Sequence, residues 1–200
     1  RVRVSGGGVH ASARVQWRPQ GGIDSVLLSP MLLANRFHFD RDSTLVQTVG
    51  ALPSPYDRAT TGARTGTSLA RLNSEWTHRF SPDLRVETRA NVGRSVLPVH
   101  SFRTEQIAGV TSRTLEETSD SHDTSVTASS KVIAAVLGTH TATTGVEAES
   151  NRRDDTRTSL QDGVPILTDF ADNISASVQR LAAYVQDEWP VSEHWAAHAG

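Results

Sequence analysis

Residues 67–94 constrain the fold of this chain most strongly, because apolar and polar side chains alternate along both of their arms. Successive side chains of a β-strand point to opposite faces, so each arm is predicted to be a strand with one apolar and one polar face. Between the arms, Ser81-Pro82-Asp83 is typical turn chemistry. The stretch therefore predicts a long hairpin. Its apolar face carries Leu72, Trp76, Val86 and Val92, and its polar face carries Arg71, Glu75, Arg85, Glu87 and Arg89.

The same alternation recurs along the chain and predicts about eight strands in all. The other predicted strands are Val9–Trp17, Ser25–Phe39, Ser121–Val132, His140–Arg152, Ile174–Trp189 and His194–Gly200. Pro30 cannot donate to a strand ladder, so we expect an irregular position there. Short turns are predicted near residues 21, 82, 136 and 191. Segments 40–66, 95–120 and 153–173 show no sustained period and are predicted to be long loops.

Composition narrows the class of protein. Only 36% of the 200 residues are hydrophobic and 6% are aromatic, which is little for the core of a water-soluble domain of this length. The formal net charge of −2 gives no general attraction to nucleic acid. There is no cysteine, so disulfides and thiolate metal sites are excluded. The longest apolar run, Val132–Leu137, is far shorter than the roughly 20 residues of a membrane helix.

Short turns that alternate with long loops favour an antiparallel transmembrane β-barrel, in which strands place apolar residues towards lipid and polar residues towards a wet lumen. Long loops without structure are uncommon in compact soluble domains. Tryptophan and phenylalanine belong at the two membrane interfaces of such a barrel. We therefore expect a girdle of aromatic residues near the short turns. Its members are Trp17, Trp76, Phe80, Trp189 and Trp195.

The segment Leu181–Trp189, which reads LAAYVQDEW, and the turn and strand that follow it to Gly200 resemble a recurrent stretch of TonB-dependent outer-membrane receptors. His140–Glu147 resembles the strand that precedes this stretch in the family. The resemblance extends in weaker form over most of the chain, and its most specific motifs lie in residues 139–200. It identifies residues 1–200 as part of the receptor's β-barrel.

The resemblance implies a 22-stranded barrel that is plugged by an N-terminal domain and energised by TonB, in the outer membrane of a Gram-negative bacterium. The implied function is active uptake of a scarce nutrient, most often a ferric siderophore or another metal chelate. We expect a longer protein, because a plug, a TonB box, a signal peptide and closing strands are not seen in these residues. The implied partners are the TonB complex, acting through the plug, the ligand, and outer-membrane lipid and lipopolysaccharide, with no nucleic acid.

Two other functions stay open. One is a passive porin-like channel or a barrel adhesin without a plug, and the other is a soluble β-protein or enzyme. The sequence predicts no catalytic, cofactor or metal site, and no enzymatic activity. His194 and His198 would lie about 13 Å apart on one face of a strand, too far for one metal ion.

A few residues are candidates for ligand contact. Tyr56, in the predicted Pro53–Arg58 loop, could stack on a ligand, and Arg58 lies beside it. Arg152 and Arg153 begin a mixed charge run at the predicted outer end of a strand, where they could contact an anionic chelate or lipopolysaccharide phosphates. The polar-face residues of the 67–94 hairpin are predicted to face the lumen.

Overall fold

The computed structural model describes residues 1–19, 21–49, 53–136, 139–166 and 173–200. These residues form ten β-strands and no helix. The strands are β1 Val2–Ser12, β2 Val15–Trp17, β3 Asp24–Thr44, β4 Arg58–Ser81, β5 Leu84–Ile107, β6 Val110–Val136, β7 His140–Gln161, β8 Val164–Pro165, β9 Asn173–Ser192 and β10 Trp195–Ala199. In this part of the chain, no helix is long and apolar enough to cross a membrane.

All ten strands belong to one antiparallel sheet in which neighbours in the sequence are neighbours in space. The order is β1-β3-β4-β5-β6-β7-β9-β10, with the short β2 and β8 paired to β3 and β7. The first and last strands of this order do not pair with each other, so the sheet is open between β1 and β10. The predicted all-β antiparallel fold is confirmed.

The sheet is a single layer without a hydrophobic core. Among the described residues, Ala59 is the only apolar residue that is fully buried. Many large apolar side chains are exposed on the sheet, including Leu32 at 58% and Val185 at 67%. A water-soluble domain buries the apolar face of its sheet against a second layer. Among the described residues, no second layer covers this face.

Register divides every long strand into the same two faces. In an antiparallel pair, residues directly opposite each other project to one side. Leu72 lies opposite both Pro30 and Val92, and Val92 lies opposite Val126. We call this side the apolar face: it holds the even-numbered residues of β3–β7 and the odd-numbered residues of β1, β2 and β9. The other side is the polar face.

The two ends of the sheet differ in their turns. At one end, which we call the aromatic end, β4 and β5 are joined through Pro82-Asp83, as predicted. The Gly22 amide donates to the Pro19 carbonyl in the first predicted turn. The predicted turn near residue 136 falls largely outside the described residues. The last predicted turn, Pro190–Glu193, is shifted, because β9 continues to Ser192 and the turn is Glu193-His194.

The opposite end, which we call the loop end, corrects the prediction of three long loops. Segment 95–120 is almost wholly strand, and β5 and β6 are joined by the two-residue turn Ala108-Gly109. Residues 153–161 belong to β7, which leads into the turn Asp162-Gly163. Both turns have positive φ at each residue, the type I′ geometry that suits tight hairpins. Of the predicted loop 40–66, residues 40–44 belong to β3 and residues 58–66 belong to β4.

Pro30 lies at an irregular position, as predicted. The ladder that β1 and β2 make with β3 is interrupted at Ala13-Arg14, opposite Pro30. The Pro30 carbonyl still accepts from the Ala13 amide at 3.1 Å. Because the N and C=O of one strand residue point to the same side, the missing proline N–H also faces this neighbour. The proline thus weakens one ladder and leaves the β3–β4 ladder continuous.

Candidate functional site

The polar face of the β4–β6 region carries a network of paired charges. Glu75 on β4 lies opposite Arg89 on β5, and its Oε2 atom is 3.4 Å from Arg89 Nε. Glu87 is 2.9 Å from Arg85 Nε and 3.1 Å from Lys131 Nζ on β6. Arg71 lies on the same face, opposite Gly93. The five residues predicted to line a lumen therefore share one face, and neighbouring strands neutralise most of their charges.

The apolar face carries a band of small and aliphatic residues across the sheet near the aromatic end. One row across five strands shows its character: Ser74, Ala90, Ala128, Ala148 and Leu181. On β4 the band runs from Ala70 to His78, which matches the 9–11 residues that a tilted strand needs to span a bilayer. Polar and charged residues replace it on this face towards the loop end.

The predicted aromatic residues lie at the aromatic end of this band. Trp17 and Trp76 flank Val26 in register on the apolar face. The Trp76, His78 and Phe80 rings form a chain with centroid distances of 5.8 and 4.4 Å. Trp189 stacks on His140 at 5.6 Å, and Trp195 is 74% exposed on β10. Trp76 and Trp189 each lie beside a His–Asp pair.

Those two pairs anchor the strand ends. Asp24 Oδ1 accepts a hydrogen bond from Trp76 Nε1 at 3.0 Å and lies 2.8 Å from His78 Nδ1. Asp187 Oδ2 is 2.8 Å from His140 Nδ1. The indole nitrogen of Trp76 is thus satisfied, while its ring remains 41% exposed.

A buried carboxylate organises the loop end of the polar face. The Glu105 side chain is only 2% exposed. Arg103 Nε lies 2.8 Å from its Oε1 atom, and Arg113 Nη2 lies 2.6 Å from its Oε2 atom. The Arg103 guanidinium also lies over the Tyr56 ring, 4.9 Å from its centroid. Two arginines and one carboxylate leave a net positive charge there.

The segment that leads into β4 is held against this cluster. Asp57 donates from its amide to the Gln106 carbonyl and accepts from the Ala108 amide through Oδ2 at 2.6 Å. The Leu45 amide donates to the Asp57 carbonyl. Tyr56 is therefore held beside the β5–β6 hairpin through the contacts of its neighbour Asp57.

The two ligand-contact candidates of this segment are separated by the sheet. Tyr56 lies on the polar face, with its ring covered by Arg103. Arg58 begins β4 and lies on the apolar-face side, with its Nη2 atom 3.8 Å from Asp42 Oδ1. Arg58 and Tyr56 thus do not form one contact surface.

Arg152 and Arg153 lie within β7, which continues to Gln161, and not at the end of a strand as predicted. Each pairs with an aspartate two residues on: Arg152 Nε is 2.8 Å from Asp154, and Arg153 Nε is 2.8 Å from Asp155. The two arginines face opposite sides of the sheet. The run is therefore mostly neutralised within one strand.

Sequence reasoning missed the Glu105 cluster because segment 95–120 was assigned to a loop. Arg103 and Glu105 are two residues apart and therefore share a face once the segment is a strand. Within the described residues, no group of three or more His, Cys, Asp or Glu side chains could hold a metal ion.

Comparison with known proteins gives a likeness in structure alone. No protein-family model matches the sequence, and no curated protein does. Among solved structures, the ferric yersiniabactin uptake receptor FyuA from Yersinia pestis is similar, with a TM-score of 0.56 and 11% sequence identity. The match covers 98% of this chain and 27% of that receptor. At this identity the likeness establishes the fold: a sheet like part of a barrel receptor.

Proposed function

We propose that this chain forms part of the barrel wall of an outer-membrane receptor that actively takes up a scarce nutrient. The first candidate ligand is a ferric siderophore or another metal chelate. The fold of an uptake receptor supports this proposal over the whole described sheet. The resemblance of residues 139–200 to TonB-dependent receptors supports it independently.

The observation that carries the proposal is the two-faced, single-layer sheet. Its apolar face has no second layer to cover it among the described residues, and its polar face holds charge networks that need water. A bilayer on one side and a wet interior on the other satisfy both faces at once. The open edges at β1 and β10 would pair with further strands, because lipid tolerates no unpaired edge.

In this arrangement the chain supplies wall and recognition surface and performs no chemistry. The polar-face charges, including Arg71, Glu75 and Arg89, line the interior and contact a plug domain. Energy comes from the TonB complex through that plug. The net positive Glu105 cluster lies at the outer mouth, where it favours an anionic chelate over a neutral one. Of the ligand-contact candidates, Tyr56 and Arg153 lie on the polar face and remain candidates, whereas Arg58 and Arg152 lie on the apolar-face side.

Growth of a deletion strain tests the proposal. Cells that lack the full-length protein should fail to grow when one defined iron chelate, or cobalamin, is the only source of the nutrient. Growth should return with the intact gene and should depend on TonB. Growth on every defined source would contradict uptake by this protein.

The energy dependence of uptake distinguishes the proposed receptor from the alternative, a passive channel. Uptake through a porin-like barrel continues in a strain without TonB and after the proton gradient has been collapsed. Uptake by the proposed receptor stops under both conditions. Recovery of the protein in the soluble fraction, away from outer membranes, would contradict both readings.

A further inference from the structure

Three arginines on the apolar face have no partner in the described part of the chain. Arg36 on β3, Arg64 on β4 and Arg94 on β5 are exposed, and no hydrogen bond or ion pair of theirs is formed with described residues. Two histidines of this face are paired with carboxylates: His38 with Asp40 at 3.0 Å, and His100 with Glu116 at 2.9 Å. Because these arginines are unpaired on the face that carries the apolar band, we expect an anion from outside the chain to bind there.

Arg36 and Arg64 border one depression in the sheet. Arg36 lies opposite Gly7 and Gly66, and Arg64 lies opposite His38, so the two arginines are diagonal neighbours about 7 Å apart. Gly7 leaves open space on one side of Arg36, and the depression measures about 680 Å³. Two arginines line it against one carboxylate, Asp120.

An apolar groove begins directly beside this depression, on the side of the aromatic end. It measures about 460 Å³, and its lining is almost entirely apolar. Small residues, Ala11, Ala34, Ser68 and Ala70, form its floor. Val9, Leu32 and Val96 stand at its sides. Arg94 borders the groove on β5.

Along the strands, the cationic depression and the apolar groove follow each other in the same order as the head group and the acyl chains of a lipid. The depression lies beyond the end of the apolar band, at the level expected for head groups, and the groove lies across the edge of the band, at Ser68 and Ala70, where acyl chains begin. Arginine forms paired hydrogen bonds with phosphate oxygens. The guanidinium N–H groups of Arg36 and Arg64 make no other hydrogen bond with described residues. A soluble anion would use the depression and leave the groove empty.

We propose that this surface, made by Arg36, Arg64, Arg94 and the adjoining groove, binds the lipid A part of lipopolysaccharide. The proposal rests on the proposed function, since it needs the apolar face to lie in the outer membrane. Separate unpaired cations suit a lipid with more than one phosphate, such as lipid A, whereas phosphatidylglycerol and phosphatidylethanolamine carry one. Arg152 and Arg153, the cations that sequence reasoning had offered for this contact, are already paired with Asp154 and Asp155.

Native mass spectrometry of the full-length protein, extracted from outer membranes in mild detergent, tests the proposal. The wild type should retain lipid A or lipopolysaccharide, and it should rebind added bisphosphorylated lipid A. The double variant Arg36→Ala/Arg64→Ala should bind at least about tenfold more weakly, because both charged hydrogen-bond donors to the phosphates are lost.

A matched control removes two arginines from the other face. Arg41 and Arg71 lie on β3 and β4 like Arg36 and Arg64, and they too have no partner among the described residues. Arg41→Ala/Arg71→Ala should retain lipid like the wild type. Equal loss in both double variants would overturn the proposal, because loss of positive charge anywhere would then explain it.

A second pair of variants tests the groove. Ala70→Phe fills it and should weaken lipid A binding, while Ala90→Phe adds the same ring to the apolar face outside it. Dephosphorylated lipid A, phosphatidylglycerol and inorganic phosphate separate the possible sources of the phosphate. Equal binding of phosphatidylglycerol and lipid A, or displacement of lipid A by inorganic phosphate alone, would overturn the assignment to lipid A.

Failure of this inference can be told from failure of the proposed function. If the protein lies in the outer membrane and supports TonB-dependent growth, but lipid retention ignores Arg36 and Arg64, only the lipid site is wrong. If the protein is not in the outer membrane, the proposed function itself fails.

Discussion

Arg113 and Glu105 form a close ion pair across the β5–β6 hairpin, with 2.6 Å between Arg113 Nη2 and Glu105 Oε2. Arg103 approaches the other oxygen of the same carboxylate, whose side chain is 2% exposed. Replacing the carboxylate by an amide, Glu105→Gln, leaves two arginine side chains facing each other with one neutral acceptor. We expect the free energy of local opening at the loop end to fall by about 2–3 kcal/mol. Hydrogen–deuterium exchange over residues 103–113 of the full-length protein measures this.

Glu117→Gln is the matched control for that experiment. Glu117 lies on the same face of the same hairpin and pairs with Arg157 at 2.9 Å, but both side chains are about 40% exposed. Exposed pairs contribute roughly 0–1 kcal/mol. Exchange should therefore change little in this variant, and equal effects at 105 and 117 would refute the role of burial.

Gly145 lies opposite Tyr184 in the β7–β9 ladder, and the Tyr184 ring covers the place where a side chain would stand. A Cβ atom added at 145 would lie 2.7 Å from the ring. Gly145→Ala should therefore displace the ring and cost about 1–3 kcal/mol. Unfolding of the full-length protein by denaturant in lipid vesicles gives the difference in stability.

Gly7→Ala serves as the comparison, since a Cβ at this strand position meets no atom within 4 Å. Alanine restricts the unfolded chain more than glycine does, so this change should be neutral or stabilise by roughly 0.5 kcal/mol. If Gly145→Ala proves as harmless as Gly7→Ala, the tyrosine ring does not constrain position 145.

The sequence predicts the strands only where apolar and polar residues alternate. Along Ala70–His78 one face carries mostly small and apolar residues and the other polar ones, so the period of two is visible. Beyond the band both faces carry polar residues, so the alternation is lost. Backbone hydrogen bonding still extends β5 to Ile107 and lets β6 begin at Val110. No alternation of apolar and polar residues in the sequence indicates this. Asp-Gly is a typical sequence of a tight hairpin turn, so Asp162-Gly163 indicated a hairpin within the segment 153–173 that was predicted to be a loop.

The site is less predictable than the fold for a related reason. That Arg71, Glu75, Arg85, Glu87 and Arg89 share a face follows from their spacing alone. The approach of Arg113 to Glu105 depends on the register of two strands and on a two-residue turn between them, neither of which a single sequence specifies. Tyr56 was identified as a candidate, but its contact with Arg103 required the fold.

The apolar band predicts a strong asymmetry between adjacent positions. Ala90 lies in the middle row of the band, and Asn91 lies beside it on the polar face, where its Nδ2 atom donates to Thr127 at 2.9 Å. Ala90→Arg should destabilise the protein in lipid by about 2–4 kcal/mol. Asn91→Arg should cost much less, because its charge reaches water. Denaturant unfolding in vesicles compares the two variants, and equal costs would contradict the assignment of faces.

Single-cysteine labelling along β4 tests the central claim most directly, since these 200 residues contain no cysteine of their own. Cysteine is placed in turn at 72, 73, 74, 75, 76 and 77 of the full-length protein in intact outer membranes. A water-soluble thiol reagent should label 73, 75 and 77 and spare 72, 74 and 76, while a lipid-soluble reagent should show the reverse preference. Uniform labelling by the water-soluble reagent at all six positions would contradict a sheet with one face in lipid.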